Sequence, residues 1–431
     1  MKLINNVVFF KISESSHLMI NTLNGLIDEL DEPSYNTIKA WGKAEYIEPS
    51  GKDQTSLYNA LLKRGYLVQS RDEESSIKED IIAKLRAKHG ANRAVKHMEF
   101  LITYDCNFRC PYCYESGRAA KNAVISKEMV DAAFSIAGAT TECVSLFGGE
   151  PLLPENRDVI EYILSCAEET HFYITTNGYY LLEFMDLFSK AKTLELHITL
   201  DGDEQTHDSL RYLEGGKPTY QKILKGIEYC LTQRHPVTIR MNVGNDNVNK
   251  CLEHKKELMR TLPSAEEFLN IELHPRFQLA NQERNAVMEV IHKNTQTAPY
   301  AIGYPIMNVF AHGMKLKPLY SFCHAHNNFS YIFDPFGYIY PCKNSVAAPD
   351  YATGTYFPEV KFYENSILHR NIETVKECRE CNYTFLCAGG CPMQLDSREG
   401  FLRPNCQQTM NDFTAQIPVL YNMYAKKEQR K

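Results

Sequence analysis

The chain has 431 residues, 47 Lys and Arg against 53 Asp and Glu, and a formal charge of −6. At about 150 residues per domain this length predicts two to four domains with ample core, and 44% hydrophobic with 23% charged residues excludes disordered, collagen-like and low-complexity classes. The acidic balance leaves no footprint for nucleic acid, no apolar run approaches the ~18 residues that span a bilayer, and the opening stretch, broken by Lys11, is too short for a signal peptide. A cytoplasmic chain without nucleic-acid or membrane partners is expected. The basic run 426–431 reads as a solvated tail. Fourteen Cys beside a single Trp point, in a reducing compartment, to metal rather than disulfides.

Residues 1–75 read as a small α+β unit. Apolar runs at 7–12 and 18–21 predict strands. Amphipathic spacing predicts helices over 23–30, 35–41 and 57–64, and 65–68 is a further strand. A charged stretch, 71–89, with apolar residues at Ile77, Ile81, Ile82 and Leu85, predicts a linker helix within 76–96. From residue 97 the texture alternates. Apolar runs at 99–104, 143–147, 172–176, 194–200, 237–243 and 269–273 predict strands. Helical patterns at 127–138, 156–170, 179–191, 220–234, 247–262 and 282–294 separate them. Six βα units over 97–310 imply a parallel sheet with right-handed crossovers, either doubly wound or an incomplete barrel. Both gather their chemistry at the C-terminal ends of the strands. Residues 311–411 lose the alternation and gain Cys, Gly, Pro and Tyr, the texture of an irregular, metal-stapled domain. A helix or tail follows at 412–431.

The motifs fall at those strand ends. After the first strand stands Cys106-Asn-Phe-Arg-Cys110-Pro-Tyr-Cys113. Three thiolates on one loop can wrap a metal centre. A [4Fe–4S] cube held by three Cys keeps one iron without a protein ligand, and a zinc knuckle lacking a fourth ligand is the simpler reading. The second strand runs into Gly148-Gly149-Glu150-Pro151, where glycine lets backbone approach a ligand. The third ends in Thr176-Asn177-Gly178 and the fourth in Asp201-Gly202, followed by His207-Asp208 and Arg211. Taken singly, turns and helix caps explain these last two.

In this order, over 99–275, the motifs resemble those of the radical S-adenosylmethionine enzymes. The resemblance implies a partial (β/α)6, TIM-like barrel. Cys106, Cys110 and Cys113 would hold a [4Fe–4S] cluster whose open iron chelates S-adenosylmethionine. Gly148, Gly149 and Glu150 would line the methionine amino group, and Thr176 and Asn177 the ribose or sulfonium side, with Asp201 at the same mouth. Arg211 would pair with the carboxylate, and Tyr112 would sit near adenine. It further implies reductive cleavage to a 5′-deoxyadenosyl radical that takes a hydrogen from substrate, with a flavodoxin- or ferredoxin-type electron donor as partner.

A second cysteine set follows: Cys323, Gly337 and Cys342, then Cys378-x2-Cys381-x5-Cys387-x3-Cys391 and Cys406. One or two structural zincs would fit the CxxC. The pattern resembles the SPASM extension of the same enzymes, which implies two auxiliary [4Fe–4S] clusters: an outer one on Cys378, Cys381, Cys387 and Cys406, and an inner one on Cys323, Cys342 and Cys391. Where many relatives carry an eighth Cys, residues 315–320 have none, which leaves the inner cluster a fourth site for substrate, water or another side chain. His324 and His326 are bystanders. Cys143, Cys166, Cys230 and Cys251 lack ligand spacing and read as small buried hydrophobes.

SPASM enzymes mostly modify peptides or proteins. Sulfatase maturases often carry Asp directly after the Cys of GxxxxC, where this chain has Lys343, a cation at neutral pH. Peptide maturases often begin with a small unit that captures a precursor's leader by strand addition; residues 1–75 have a suitable size, although the strand and helix order read here does not clearly match the three-strand, three-helix form, and a structural cap on the barrel is the other reading. The expectation is therefore a maturase of a ribosomally made precursor peptide that forms a thioether or carbon–carbon crosslink. The alternatives are a sulfatase-maturase-like Cys or Ser oxidase, and an electron-transfer or zinc-organised binding protein.

Overall fold

The computed structural model describes residues 1–91, 94–113, 122–276, 279, 281–295, 315–326, 329–364, 367–394 and 402–428. The end of the expected barrel (296–310), the opening of the Cys-rich segment (311–314) and the last three residues of the basic tail lie outside the described residues. The chain folds as two compact units. One comprises Met1–Arg93, Ile302–Asn327 and His369–Lys431; the other comprises Ala94–Ala301 and Asn328–Leu368.

In the first unit, β1 (Lys2–Leu3), β2 (Val7–Lys11), β3 (Ser16–Asn21), β4 (Ile27–Asp31) and β5 (Leu67–Val68) form two antiparallel sheets, β2-β3-β4 and β1-β5. Helices follow at Glu32–Trp41, Gly51–Lys63 and Arg71–Ala91. The first begins where the Asp31 side chain accepts from Ser34 N at 2.9 Å, with Pro33 in its opening turn, a favourable start because proline lacks an N–H that would go unpaired there.

The helix expected at 23–30 is not present. Leu23, Leu26, Ile27 and Leu30 do fall at i, i+3, i+4 and i+7, but Asn24-Gly25 is a turn. Gly25 has φ +81 and donates to Asn21 O at 2.8 Å, so the chain reverses and Ile27–Asp31 pairs with β3. A Cβ at Gly25 would lie 2.1 Å from Leu316 O, so only glycine fits. With this correction the order becomes a three-stranded sheet followed by three helices.

The unit has one shared core. Leu3, Ile4, Val7, Met19, Trp41, Tyr66 and Ile82 pack with Leu319, Ile372, Phe385 and Ala388. Residues 1–75 are thus joined to part of the Cys-rich segment, and the helix expected as a linker buries Ile82 in the same core. The helix Cys406–Glu428 completes the unit.

The second unit is built on β6 (His97–Leu101), β7 (Cys143–Phe147), β8 (His171–Thr176), β9 (Thr193–Thr199), β10 (Val237–Val243) and β11 (Leu269–Pro275), all parallel. Their spatial order follows the chain without reversal. A doubly wound sheet needs a reversal, so the winding is that of an open barrel. β12 (Ser330–Phe333) continues the sheet parallel to β6, and β13 (Tyr338–Tyr340), β14 (Gly354–Thr355) and β15 (Lys361–Phe362) follow antiparallel. Part of the Cys-rich segment, including Cys342, therefore belongs to the barrel sheet's unit.

Side chains alternate across these strands. Met98, Phe100, Val144, Leu146, Phe172, Ile174, Leu196, Ile198, Ile239 and Met241 are fully buried. Phe100 meets Phe134 of the helix Lys127–Ala137 at 5.8 Å between ring centroids, which marks this face as the helix side. The opposite face carries His97, Ser145, Tyr173, Thr175, Glu195, His197, Thr238 and Glu272 around a cavity of about 500 Å³. Parallel strands with helices on both faces are apolar on both; this polar face lines a lumen.

Candidate active site at the barrel mouth

The cysteine loop follows β6 directly and is held by its neighbours' backbones. Gly149 N donates to Thr103 O and Glu150 N to Asp105 O, both at 2.8 Å. A Cβ at Gly148 (φ +140) would lie 2.4 Å from Thr103 O, and one at Gly149 2.3 Å from Asp105 O. The two glycines thus serve the close approach of the cysteine loop, in addition to the approach of a ligand expected from the sequence. On its other flank Arg109 N donates to Tyr212 O at 2.9 Å. The Arg109 guanidinium meets Cys106 O at 2.7 Å and Glu214 at 2.7 Å. Arg109 and Glu214 did not stand out in the sequence, because their pairing spans more than a hundred residues.

Glu150 is buried and uses both carboxylate oxygens inside the protein. Oε1 accepts from Leu152 N (2.9 Å) and Thr176 Oγ1 (2.6 Å), and Oε2 from Asn177 N (2.6 Å). Burial pushes its carboxyl up to about 7 against those hydrogen bonds and the charge of Arg211. It ties the end of β7 to the end of β8. Asn177 Nδ2 reaches Asn107 Oδ1 at 2.7 Å and Cys106 Sγ at 3.9 Å, so the TNG turn touches the cysteine loop.

Asp201, fully buried, accepts from Tyr112 Oη and, on Oδ1, from Asn242 N at 2.7 Å. Arg211 Nη1 donates to Tyr112 Oη at 2.8 Å, and its guanidinium lies over the Phe108 ring at 5.6 Å. Burial disfavours the Arg211 charge, but Tyr112, Cys110 and Asp201 outweigh it and keep it charged. Burial, reinforced by Asp201 and opposed by Arg211, raises the Tyr112 phenol. The other motif residues are structural. His207 accepts from Asp201 N at 3.1 Å on Nδ1 and is held neutral by burial and by Arg211. Asp208 accepts from Thr219 N and Tyr220 N, at the start of the helix Tyr220–Thr232.

The structure thus gathers Cys106, Cys110, Cys113, Gly148, Gly149, Glu150, Thr176, Asn177, Asp201, Arg211 and Tyr112 into one network at the strand ends. Burial and the charge of Glu150 push the Cys106 thiol up to about 12, and burial raises Cys110. Thiols so disfavoured as anions await a cation. No three described His, Cys, Asp or Glu side chains converge on a single metal ion; in a cube each thiolate binds a different iron, so a cluster does not require that convergence. Two buried donors, Arg211 Nε and Asn107 Nδ2, have no hydrogen-bond partner among the described residues, as expected where a polar ligand is to be met. The residues fit a cluster and a zwitterionic cofactor.

Below the mouth lies the lumen. Thr175, the residue before the TNG turn, pairs in register with His197. His197 Nε2 lies 3.0 Å from Glu195, whose carboxylate also accepts from Thr238 at 3.0 Å. His274 Nε2 lies 3.0 Å from Glu272. Burial holds both imidazoles below their ordinary range against those carboxylates. Period-two alternation in the strand sequences carries the signal for this face, which the sequence reading took only as apolar runs.

In the first unit, Cys378 and Cys387 are buried, Cys381 and Cys391 half-buried and Cys406 exposed. Burial pushes the Cys378 and Cys387 thiols up to about 12, and each is raised further by the charges of Cys381 and Cys406. These four thiols, expected as one ligand set, lie within electrostatic reach of one another. No disulfide joins any of the fourteen cysteines.

Residues 100–258 match the family described as the radical SAM superfamily. A "Probable GTP 3′,8-cyclase" of Archaeoglobus fulgidus is 29% identical over 174 residues, 39% of this chain and 57% of that protein. A GTP 3′,8-cyclase of Klebsiella pneumoniae is 31% identical over 147 residues, 32% and 42%. An uncharacterized protein of Methanocaldococcus jannaschii is 25% identical over 256 residues, 58% and 85%. The chain spans about half the length of the cyclases it matches. Two solved structures share the fold. anSMEcpe with bound AdoMet and the Cp18Cys peptide has TM-score 0.57 and 17% identity, covering 77% of this chain and 99% of that one. Streptococcus suis SuiB bound to precursor peptide SuiA has TM-score 0.54 and 16% identity, covering 94% and 99%.

Proposed function

We propose, for a chain that carries a radical S-adenosylmethionine domain over residues 100–258, that this enzyme matures a ribosomally made precursor peptide by forming a thioether or carbon–carbon crosslink. Cys106, Cys110 and Cys113 would hold the cluster, and Arg211, Asn177 and the backbone of 148–149 would bind S-adenosylmethionine. When bound, the pair supplies a radical able to remove a hydrogen atom from substrate. The chain's own residues orient and shield: Glu150 locks two strand ends together, and the Asp201–Tyr112–Arg211 array keeps a fixed cation at the mouth for a carboxylate.

The lumen is the observation that carries the substrate class. Its two lining lysines are already engaged, Lys96 with Glu142 at 2.6 Å and Lys343 with Glu99 at 2.8 Å, and Glu195 and Glu272 also line it. A triphosphate of the kind the cyclases' name implies would meet carboxylates and, among the described lining residues, no uncommitted lysine. Neutral or cationic side chains of a peptide meet hydrogen-bonding groups instead. The likeness to SuiB covers more of this chain than that to anSMEcpe, 94% against 77%, and the three-strand, three-helix order of residues 1–91 suits leader capture by strand addition. Auxiliary clusters held by the second cysteine set would accept the second electron.

The test is anaerobic reaction of the reconstituted protein with S-adenosylmethionine and candidate Cys-containing precursor peptides, read by mass spectrometry. Loss of a hydrogen pair from a peptide, with GTP left unconsumed, is the expected result. Conversion of GTP with every peptide unchanged would overturn the reading.

A further inference from the structure

Arg370 is 1% exposed, one of the largest side chains to be fully buried in the protein. Its Nη1 donates to Arg403 O at 2.7 Å, and its Nη2 donates to Gly389 O and, at 3.3 Å, to Gly390 O. Those carbonyls belong to two thiol-bearing segments: Gly389 and Gly390 lie between Cys387 and Cys391, and Arg403 stands three residues before Cys406. Asn405 N also donates to Gly389 O at 2.8 Å, so the segments meet at this point. Gly389 has φ +86, and a Cβ there would lie 3.0 Å from Arg370 Nη2 and 3.6 Å from Cys378 Sγ. The guanidinium and the Cys378 thiol therefore flank the same spot.

A buried guanidinium stays protonated and is costly unless compensated. Burial works against the charge here, and what favours it are the charges of Cys378, Cys391, Cys387 and Cys323. These come from both expected ligand sets, the outer (Cys378, Cys387) and the inner (Cys323, Cys391). As metal-bound thiolates they would contribute to that compensation.

We propose that Arg370 is the counter-charge shared by Cys378, Cys387, Cys391 and Cys323 of this unit, positioning the 387–391 loop and raising the reduction potential of the iron–sulfur clusters those thiolates hold. The proposal rests on the reading of this segment as an auxiliary-cluster site. A fixed cation in a low-dielectric surround favours the state with one more electron. Its hydrogen bonds to carbonyls fix the guanidinium, so its effect on the sulfurs is one of charge at a set place.

The experiment uses the full chain with Cys106, Cys110 and Cys113 all replaced by alanine, so that only auxiliary clusters report. This protein, its Arg370→Gln variant and its Arg370→Lys variant are reconstituted anaerobically, assayed for iron and sulfide, and titrated with dithionite as electron donor under EPR. Arg370→Lys is expected to keep the parent's iron and midpoint. Arg370→Gln is expected either to make reduction of at least one cluster tenfold less favourable, about 59 mV for one electron, or to lose clusters that Arg370→Lys retains. Parental iron and midpoint in Arg370→Gln would overturn the proposal. So would cluster loss in both variants, which would leave the guanidinium a purely geometric brace. A parent that binds no iron overturns the auxiliary-cluster reading and this proposal together, and is recognised before any variant is compared.

Discussion

The Nζ of Lys343 lies 2.8 Å from Oε2 of Glu99 and 4.6 Å from the centre of the Phe147 ring. The other oxygen of Glu99 accepts from Ser330 Oγ at 2.9 Å. One carboxylate thus joins the strand that feeds the cysteine loop, the neighbouring β12 and the residue after Cys342. Burial alone would raise its pKa, but Lys343 and His97 outweigh burial and hold it below the ordinary carboxylate range.

Lys343→Gln leaves the buried Glu99 without its cation. Lys343 is partly solvated, so the expected loss is about 1–3 kcal/mol in urea unfolding at neutral pH. Adding Glu99→Gln should recover part of it. Because the folded-state pKa of Glu99 is depressed, its contribution is present above the ordinary carboxyl pKa and fades as pH falls through the folded value. The gap between wild type and Glu99→Gln should therefore narrow as pH is lowered below about 4. A gap constant with pH would show that the carboxylate's charge contributes nothing.

Asp334 behaves in the opposite sense. Its Oδ1 accepts from Phe336 N (3.0 Å) and Tyr338 N (2.8 Å), and its Oδ2 accepts from Tyr104 Oη (3.1 Å), two residues before Cys106. Burial pushes it up to about 6 despite these donors. A raised acid disfavours folding as pH climbs from its unfolded to its folded pKa. Asp334→Asn should accordingly gain on wild type between about pH 4 and 6, by roughly 1–3 kcal/mol. Thermal unfolding across that range measures it, and parallel pH curves for the two proteins would contradict it.

Gly149→Ala puts a methyl group 2.3 Å from Asp105 O and 2.6 Å from Tyr104 O, both backbone atoms. The cysteine loop must shift. The variant should remain folded, with far-ultraviolet circular dichroism like wild type, and lose the iron bound by Cys106, Cys110 and Cys113. Gly42→Ala, at φ −64 and with no atom nearer than 3.4 Å to the added carbon, is the control. Full iron in Gly149→Ala would show that the contact is relieved without cost to the loop.

Removing residues 1–75 should yield insoluble protein, or protein that binds a hydrophobic dye, because Leu319, Ile372, Phe385 and Ala388 would lose their packing partners. At 1.5–3 kcal/mol per large buried side chain the loss exceeds a typical domain's stability. A soluble, cooperatively unfolding truncation would show that the shared core is dispensable. The finer probe of leader capture is therefore a point substitution on the outer edge of β2, read by peptide titration.

The barrel was legible because each of its strands is a short apolar run closed by a turn motif. The cysteine spacing and the glycine, TNG and Asp201 motifs marked its mouth. The turn at Asn24-Gly25 was misread because apolar spacing on its flanks mimicked a helix, and the dipeptide outweighed it. The segment expected as one helix at 179–191 forms a 3₁₀ turn, Leu181–Phe184, and a single α turn, Met185–Phe188. What sequence could not disclose are pairings made across long separations: Arg109 with Glu214, Lys343 with Glu99, and Arg370 with the carbonyls between Cys387 and Cys391. Each depends on two distant segments meeting in space, and neither carries the other's address.

The division of the first unit into distant stretches also sets an order of events during synthesis. Residues 1–93 leave the ribosome before the barrel, yet Phe385 and Ala388, which complete their core, follow only after the whole barrel has been made. Contacts of such sequence separation form late. The amino-terminal strands must wait with part of their apolar face uncovered, while the barrel, whose strands pair with sequential neighbours, can assemble as it emerges. The thiols of Cys378, Cys381, Cys387 and Cys406 appear only after the last strand of the barrel's sheet, so any cofactor they take up is installed after that sheet has been made.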